Sequence, residues 1–420
     1  MRELAAGALF AGVVTVMIFL PESKRPWAAL AGAALALAAG LVEPSRLPEH
    51  LNLDVLGLIA GACVISAYLT ESGLMDELAQ RSLRWSKGDL RRLTWSLAMV
   101  SGVVSLFIEN VTTLIMLAPM VFSVARALKV DAVPMLLAAA FASNLGGAAL
   151  LVGDPQSALA AGYFNLDFGD FLFHAGKPSI FWMVLTALIA STTAFTYTFV
   201  KGKFNLPSES KEKRSIRDKK LAYVSLTALA IKILLLALRK QLGIGLSLPA
   251  FIGASIILLY TRDVKFAIKS IEWKLLAFLA GMFVLVGALQ DSGTMRLVAE
   301  SFTKLASCDY YKLTALIVAA SVAVSAVVDN VPYLMAMFPI ISKISSHCGI
   351  YYFKLLLALL IGATLGGNIT YFGSSTNITA VHLLEEEGYS VRFRDFLKYG
   401  AYYTAWALGS ALALYYALWR

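Results

Sequence analysis

The feature that most constrains this chain is that it matches itself. Shifted by 220 residues, the second half falls on the first without a gap from Gly61 to Asn377. Gly61 meets Gly281, and Glu71-Ser72-Gly73 meets Asp291-Ser292-Gly293. Ser101 and Ser105 meet Ser321 and Ser325, and Glu109-Asn110-Val111 meets Asp329-Asn330-Val331. Pro119 meets Pro339, Leu145-Gly146-Gly147 meets Leu365-Gly366-Gly367, and Gly153 meets Gly373. Apolar bias alone produces chance Leu and Ala matches, not a series of Gly, Pro, Asn and acidic matches in one register. The chain is therefore expected to fold as two copies of one unit, residues 1–200 and 221–420, joined by a linker at 201–220.

Composition says what surrounds those copies. The chain is 59% hydrophobic and 15% charged, whereas soluble domains carry about a quarter charged residues. Lipid must act as its solvent. Crossing ~30 Å of hydrocarbon takes roughly 20 apolar residues. Leu4–Leu20, Trp27–Val42, Leu53–Leu69, Ile180–Val200, Leu221–Leu238, Leu275–Leu289 and Ala401–Leu418 qualify as spans, and Pro249–Tyr260 does so together with Gly243–Leu248. These runs are continuous rather than alternating, which argues against a membrane β-barrel. Leu4–Leu20 lacks a small-residue cleavage site and reads as the first span, not a signal peptide.

The net charge of +9 points to topology rather than to nucleic acid. The basic residues cluster in loops, as the positive-inside rule requires. Lys24 and Arg25 follow the first span, Arg81, Arg84, Lys87, Arg91 and Arg92 the third, and Arg126 and Lys129 come later. The linker has eight basic residues against Glu209, Glu212 and Asp218, and contains Pro207. All these segments are expected in the cytoplasm, with acidic 165–170 outside. That holds if Arg92–Leu128 enters and leaves on one side as a re-entrant hairpin with its tip at Glu109–Thr113. Each half then has five spans plus a hairpin. Five is odd, so the second half is inserted upside down. The expected fold is all-α and polytopic in the plasma (inner) membrane, with both termini external. Cys63, Cys308 and Cys348 share no metal spacing and form no even set, so they are expected to be packing residues.

Polar, irregular backbone at membrane depth is tolerated only beside protein or a water-filled cavity. Four such places occur, in two repeat-related pairs. The hairpin tips place Glu109, Asn110, Thr112 and Thr113 in one half and Asp329 and Asn330 in the other. The broken helices run from Ser143 through Asn144, Gly146, Gly147 and Asp154 to Ser157, and from Gly366 through Gly367, Asn368, Thr370, Ser374, Ser375 and Thr376 to Asn377. Glycines let a helix unwind and a ligand approach. Freed carbonyls and Asn, Ser and Thr oxygens can replace the hydration shell of Na⁺, so Asn110, Asn330 and the broken-helix loops are candidate Na⁺ ligands. Glu109, Asp154 and Asp329 are carboxylates in apolar stretches, which are functional candidates by default. Asp154 alone has no acidic twin, because the register gives it Ser374.

At IENVTTLIMLAPM, SNLGGAALLVGDPQSAL, VVDNVPYLMAMFPI and GATLGGNITYFGSSTNITAV the chain resembles the ion transporter superfamily with a citrate-transporter-like domain. The nearest branch is that of the arsenite pumps, NhaD-type permeases and the melanosomal P protein. The resemblance implies that hairpin tips and broken-helix loops form the ion and substrate site. It also implies a homodimer with a scaffold and an elevator-like moving part. Two positions depart from the family pattern. Ser157 stands where the first loop usually ends in Asn, and Pro332 stands opposite Thr112.

The expected function is an ion-coupled secondary transporter driven by Na⁺ or H⁺, with no cofactor. Two substrates rank equally: a cation in Na⁺/H⁺ antiport, and arsenite or antimonite in efflux. A Na⁺-coupled carboxylate such as citrate ranks below them, since three nearby carboxylates would repel it. A passive channel is the alternative outside this class. No GxxxxGK[ST] sequence is present, so ATP energisation would need a separate soluble ATPase subunit. An intramembrane enzyme is disfavoured, since HExxH and GxSxG are absent and His50, His174, His347 and His382 are scattered.

Overall fold

A computed structural model describes residues 2–203 and 216–420. Most of the linker, 204–215 with Pro207, Glu209 and Glu212, lies outside the described residues. The first half runs α1 (Arg2–Phe19), α2 (Arg25–Ala38), the one-turn α3 (Leu47–His50), α4 (Leu53–Glu71), α5 (Leu74–Ser86), α6 (Leu90–Ser105), α7 (Asn110–Leu128), α8 (Val133–Ala149), α9 (Pro155–Phe164) and α10 (Phe168–Leu172). A small hairpin, β1 (Phe173–His174) and β2 (Lys177–Pro178), leads into α11 (Ile180–Phe199). The second half runs α12 (Lys219–Ala237), α13 (Arg239–Leu242), α14 (Ser247–Thr261), α15 (Val264–Ser270), α16 (Trp273–Ser292), α17 (Thr294–Ala306), α18 (Tyr310–Ser325), α19 (Asn330–Cys348), α20 (Tyr352–Gly366), α21 (Ser375–Glu386) and α22 (Phe393–Leu418). Six of these, α1, α4, α7, α11, α12 and α16, are long and apolar enough to cross a membrane.

The repeat dictates where the helices start. Asp89 and its twin Asp309 cap α6 and α18, each side chain accepting backbone N–H bonds of the first turn. Gly73 and Gly293, at φ 79° and 85°, make the same left-handed turn before the amphipathic α5 and α17. Such turns favour glycine because it has no Cβ to clash.

The packing is reciprocal. Helix α2 packs on α16 while α14 packs on α4, and α9 packs on α19 while α21 packs on α7. Gly61 lies so near Ala250 that a Cβ there would stand 2.7 Å from the alanine Cβ. A Cβ on Gly281 would stand 2.7 Å from the Ala29 carbonyl carbon. Glycine lets these helices approach backbone to backbone, the usual way to bind helices without a hydrophobic effect. Exchanging the two halves therefore maps these contacts onto one another, a pseudo-two-fold arrangement.

Two helix groups result. Helices α1, α2, α4, α12, α14 and α16 pack together, while α8 and α20 gather the hairpins α6–α7 and α18–α19 with α11 and α22. Every residue of α8 is buried, as is nearly all of α20. Their polar ends are thus enclosed by protein, the condition under which irregular backbone survives at this depth.

Four expectations need correction. The hairpin tips are the turns preceding Asn110 and Asn330, and Asn110–Thr113 is already the first turn of α7. The first broken helix stays helical through Ser143–Gly147 and opens only between Ala149 and Pro155, because intact N–H to C=O bonds persist until Leu150 turns extended. The second breaks as anticipated, from Gly367 to Ser374 with one 3₁₀ turn. The span at Trp27–Val42 ends at Ala38, and the last span starts earlier, at Phe393. Finally, Cys308 and Cys348 are not packing residues but a disulfide with Cα atoms 5.3 Å apart. Cys63 is the free thiol.

Candidate functional site

Between the two helix groups lies a cavity of about 890 Å³. It is lined by Glu109, Asn110 and Thr112 from one tip, Asp154 and Pro155 from the first break, Asp329 and Asn330 from the other tip, and Ser374, Ser375 and Thr376 from the second break. All four polar interruptions therefore meet in one space. A side chamber of about 260 Å³ shares Glu109, Thr112, Asp154, Pro155 and Glu272 with it and extends to Cys63 and Lys232.

Each carboxylate sits where a helix begins. Glu109 accepts from the Thr112 N–H at 2.8 Å, Asp329 from Val331 N–H at 3.2 Å, and Asp154 from Gln156 N–H at 3.2 Å. These helix N-termini bring orphan N–H groups and a positive dipole end, which favour negative charge. The same acids are thus caps and cavity walls. Pro155 at the first helical position requires no N–H bond and fixes where α9 starts.

At Asp154 the two elements of the first half touch. Asn110 donates through Nδ2 to Asp154 Oδ2 at 2.7 Å, and Gln156 Nε2 approaches the same oxygen at 3.4 Å. Asn110 Oδ1 and Gln156 Oε1 are buried and have no hydrogen-bond partner among the described residues. Two orphaned amide oxygens beside one carboxylate leave acceptors unsatisfied, and buried acceptors are seldom left so. Gly153 adds more oxygen. A Cβ there would meet the carbonyl oxygens of Ser105, Gly147 at 2.7 Å and Leu106 at 2.9 Å. This donor-poor, oxygen-rich corner suits a hard cation.

The other tip is closed differently. Asn330 Oδ1 accepts from Ser325 Oγ, so that amide oxygen is satisfied within its own hairpin. Asp329 faces Arg25 at 3.8 Å.

Several expected site residues lie behind the cavity instead of on it. Asn144 donates to Asn368 Oδ1 at 2.7 Å and to Asn377 Oδ1 at 3.1 Å, and accepts from Ser374 Oγ at 2.9 Å. Asn377 also donates to the Gly367 carbonyl at 3.0 Å. This buried amide cluster ties α8 to the second break. Thr113, Ser157 and Thr370 spend their hydroxyls on the carbonyls of Glu109, Ala148 and Ala326. Gly146 and Gly366 serve close helix contact, against Gly102 and Val322. Gly147 and Gly367 are where the chain passes the tip amides Asn110 and Asn330.

The sequence reading missed Arg25, Glu272, Lys274 and His382 on the main cavity and Lys232 on the side chamber. Only Lys232 carried a usable signal, a lone base within the apolar run Leu221–Leu238.

The sequence profile of the citrate transporter family matches residues 13–353. A 46 kDa membrane protein of Mycobacterium leprae is 29% identical over 92% of this chain and 92% of its own length. An uncharacterized transporter of Mycobacterium tuberculosis is 29% identical over 96% of this chain and 95% of its own. The mouse P protein is 27% identical over 94% of this chain and 58% of its own length. Among solved structures, the YdaH transporter of Alcanivorax borkumensis superposes with a TM-score of 0.62 at 15% identity, covering 88% of this chain and 87% of that one. MtrF of Neisseria gonorrhoeae, of a class of antimetabolite efflux pumps, superposes at 0.59 and 13% identity, covering 99% and 97%. At that identity the likeness shows the fold.

Proposed function

This chain belongs to the citrate transporter family, and from that premise we propose that it exchanges a small inorganic cation for protons as an ion-coupled secondary transporter. The observation that carries the reading is the corner where Asn110 binds Asp154 while Asn110 Oδ1 and Gln156 Oε1 lack partners. A cation such as Na⁺ would satisfy both orphaned oxygens and neutralise the carboxylate, and a proton on Asp154 would compete with it. Competition for one group is the requirement for exchange. Glu109, Asp154, Asp329 and Glu272 outnumber Arg25 and Lys274 around the same cavity, which weighs against an anionic substrate such as citrate. The two helix groups on either side of the cavity support an elevator-like motion of one against the other.

A second reading has its own observation. Cys63 lines the side chamber beside Asp154, and a thiol suits arsenite or antimonite in exchange for protons.

The Cys308–Cys348 disulfide supports the orientation with the linker inside. Disulfides persist in oxidising compartments, and that topology puts the base of the α18–α19 hairpin outside. The experiment is flux in proteoliposomes with Na⁺, K⁺, arsenite and citrate in turn, following internal pH. Proton movement driven by Na⁺ or K⁺ supports exchange. Proton movement driven by arsenite alone selects the second reading, and citrate uptake without proton counterflow overturns both.

A further inference from the structure

A buried lysine lines the side chamber. Lys232 lies in the middle of α12 and is 1% exposed. Its stem packs against α14, where a Cβ on Gly253 would stand 3.6 Å from the lysine Cβ. Helix α14 brings no charged residue to it. Lys232 lines the chamber, whose other titratable walls are Cys63 and Glu71 on α4, Glu109, Asp154 and Glu272.

A base in the middle of a helix long and apolar enough to span a membrane costs at least ~2.5 kcal/mol on insertion scales, which makes it a functional candidate by default. The repeat sharpens this. Around the equivalent position of α1 stand Ala11, Gly12 and Val13, none of them charged, so the pseudo-two-fold does not call for it. Asp154 is unpaired by the same register, with Ser374 as its twin. Two charges that break the symmetry, opposite in sign, thus face one chamber. Lys232 lies on α12, and Asp154 precedes α9, which packs against both α4 and α19.

We infer that Lys232 is a tethered cation that takes the place of the transported cation among the acids of this chamber. The inference rests on the cation-exchange reading above. When the oxygen corner at Asp154 holds no cation, the ammonium supplies positive charge to the chamber. When a cation binds, the two repel, and the ammonium withdraws or gives up its proton. Lys232 is a specificity-setting group, since it fixes how tightly any cation must bind to displace it.

The test uses full-length protein in proteoliposomes, with Na⁺-driven and K⁺-driven internal pH change as the flux. The wild type comes first: if neither cation moves protons, the exchange reading fails, and this inference with it. If one does, Lys232→Met is expected to lower the apparent KM for that cation roughly tenfold, the scale of removing one charge at close range. It should also change the voltage dependence of flux, because one charge no longer shares the site. Lys232→Arg keeps the charge and should keep the wild-type KM. If Lys232→Met carries no flux, the midpoint of cation-induced thermal stabilisation in detergent replaces KM, with tighter binding expected. Should Lys232→Met fail to fold, Lys232→Gln is measured in the same way. An unchanged or raised KM and binding midpoint in the neutral variant overturns the inference.

Discussion

The two hairpin tips are built to one plan and finished in opposite ways. Each places an acid as helix cap and an asparagine in the first turn, against a glycine of the facing broken helix. In the first half the asparagine reaches across to the Asp154 carboxylate and leaves Oδ1 without a partner. In the second half the Asp154 position is Ser374, which donates to Asn144, and Asn330 Oδ1 accepts from Ser325. One corner is short of donors and the other is saturated. The scaffold is therefore symmetric while the hydrogen bonding at its tips is one-sided, and the duplicated frame alone is not evidence of two equivalent sites.

The largest expected effect comes from erasing that difference. Asp154→Asn should abolish proton-coupled flux, with any residual flux independent of pH, since a neutral amide takes up no proton and carries no negative charge for which proton and cation could compete. Asp154→Glu should keep coupling with a displaced pH optimum. Ser374→Asp, which makes the halves alike, should bury a second carboxylate beside Asn144 and not restore flux in the Asp154→Asn background. Flux against pH in proteoliposomes decides. An unchanged profile in Asp154→Asn would make Asp154 a structural cap.

A smaller and sharper contrast lies in the glycines. A Cβ on Gly147 would run into the Asn110 amide, whereas on Gly367 it would meet Asn330 Oδ1 at 3.3 Å and the Gly373 carbonyl at 3.1 Å. Gly147→Ala should thus displace Asn110 and cut flux by roughly tenfold or more, the scale of about 1.4 kcal/mol. Gly367→Ala needs a shift of a few tenths of an ångström and should retain most activity. Equal losses in both variants would mean that the tips are functionally equivalent.

Much of this was legible in the sequence, for a physical reason. Helix caps, breakers and close-packing glycines are local requirements, so Gly61, Gly153, Asn110 and their twins keep their types in both copies. The repeat register consequently found the neighbourhood of the tips and breaks, although the first break opens only after Ala149. What it did not locate was which oxygens face water. Asn144, Asn368 and Asn377 are as polar as Asn110, yet they satisfy one another behind the cavity. Only packing decides between wall and interior. Lys232 was in plain view, but a search for twinned motifs passes over residues without a twin. The cysteines misled for a related reason. Cys308 and Cys348 are 40 residues apart, and only the return of the α18–α19 hairpin brings them together.

The disulfide gives the smallest effect and tests the same comparison away from the site. It closes the base of the second hairpin, joining the residues just ahead of α18 and at the end of α19. The first hairpin has Gly88 and Leu128 at those positions, so nothing covalent closes it. A crosslink stabilises mainly by restricting the unfolded chain, typically by about 2–4 kcal/mol. Cys308→Ser with Cys348→Ser should therefore lower the melting temperature in detergent by a few degrees, and reductant should do the same to the wild type but not to the double variant. Flux should change little, because Asn330 is already held by Ser325 and no partnerless amide depends on that base. A reciprocal experiment sharpens it. Gly88→Cys with Leu128→Cys places a pair at the matching base of the first hairpin, and oxidation should form it only if that base has the same geometry. If the first tip must adjust as a cation binds at Asp154, that crosslink should slow flux and reductant should restore it. Full flux in the oxidised form would mean that the first hairpin is as rigid in use as the second.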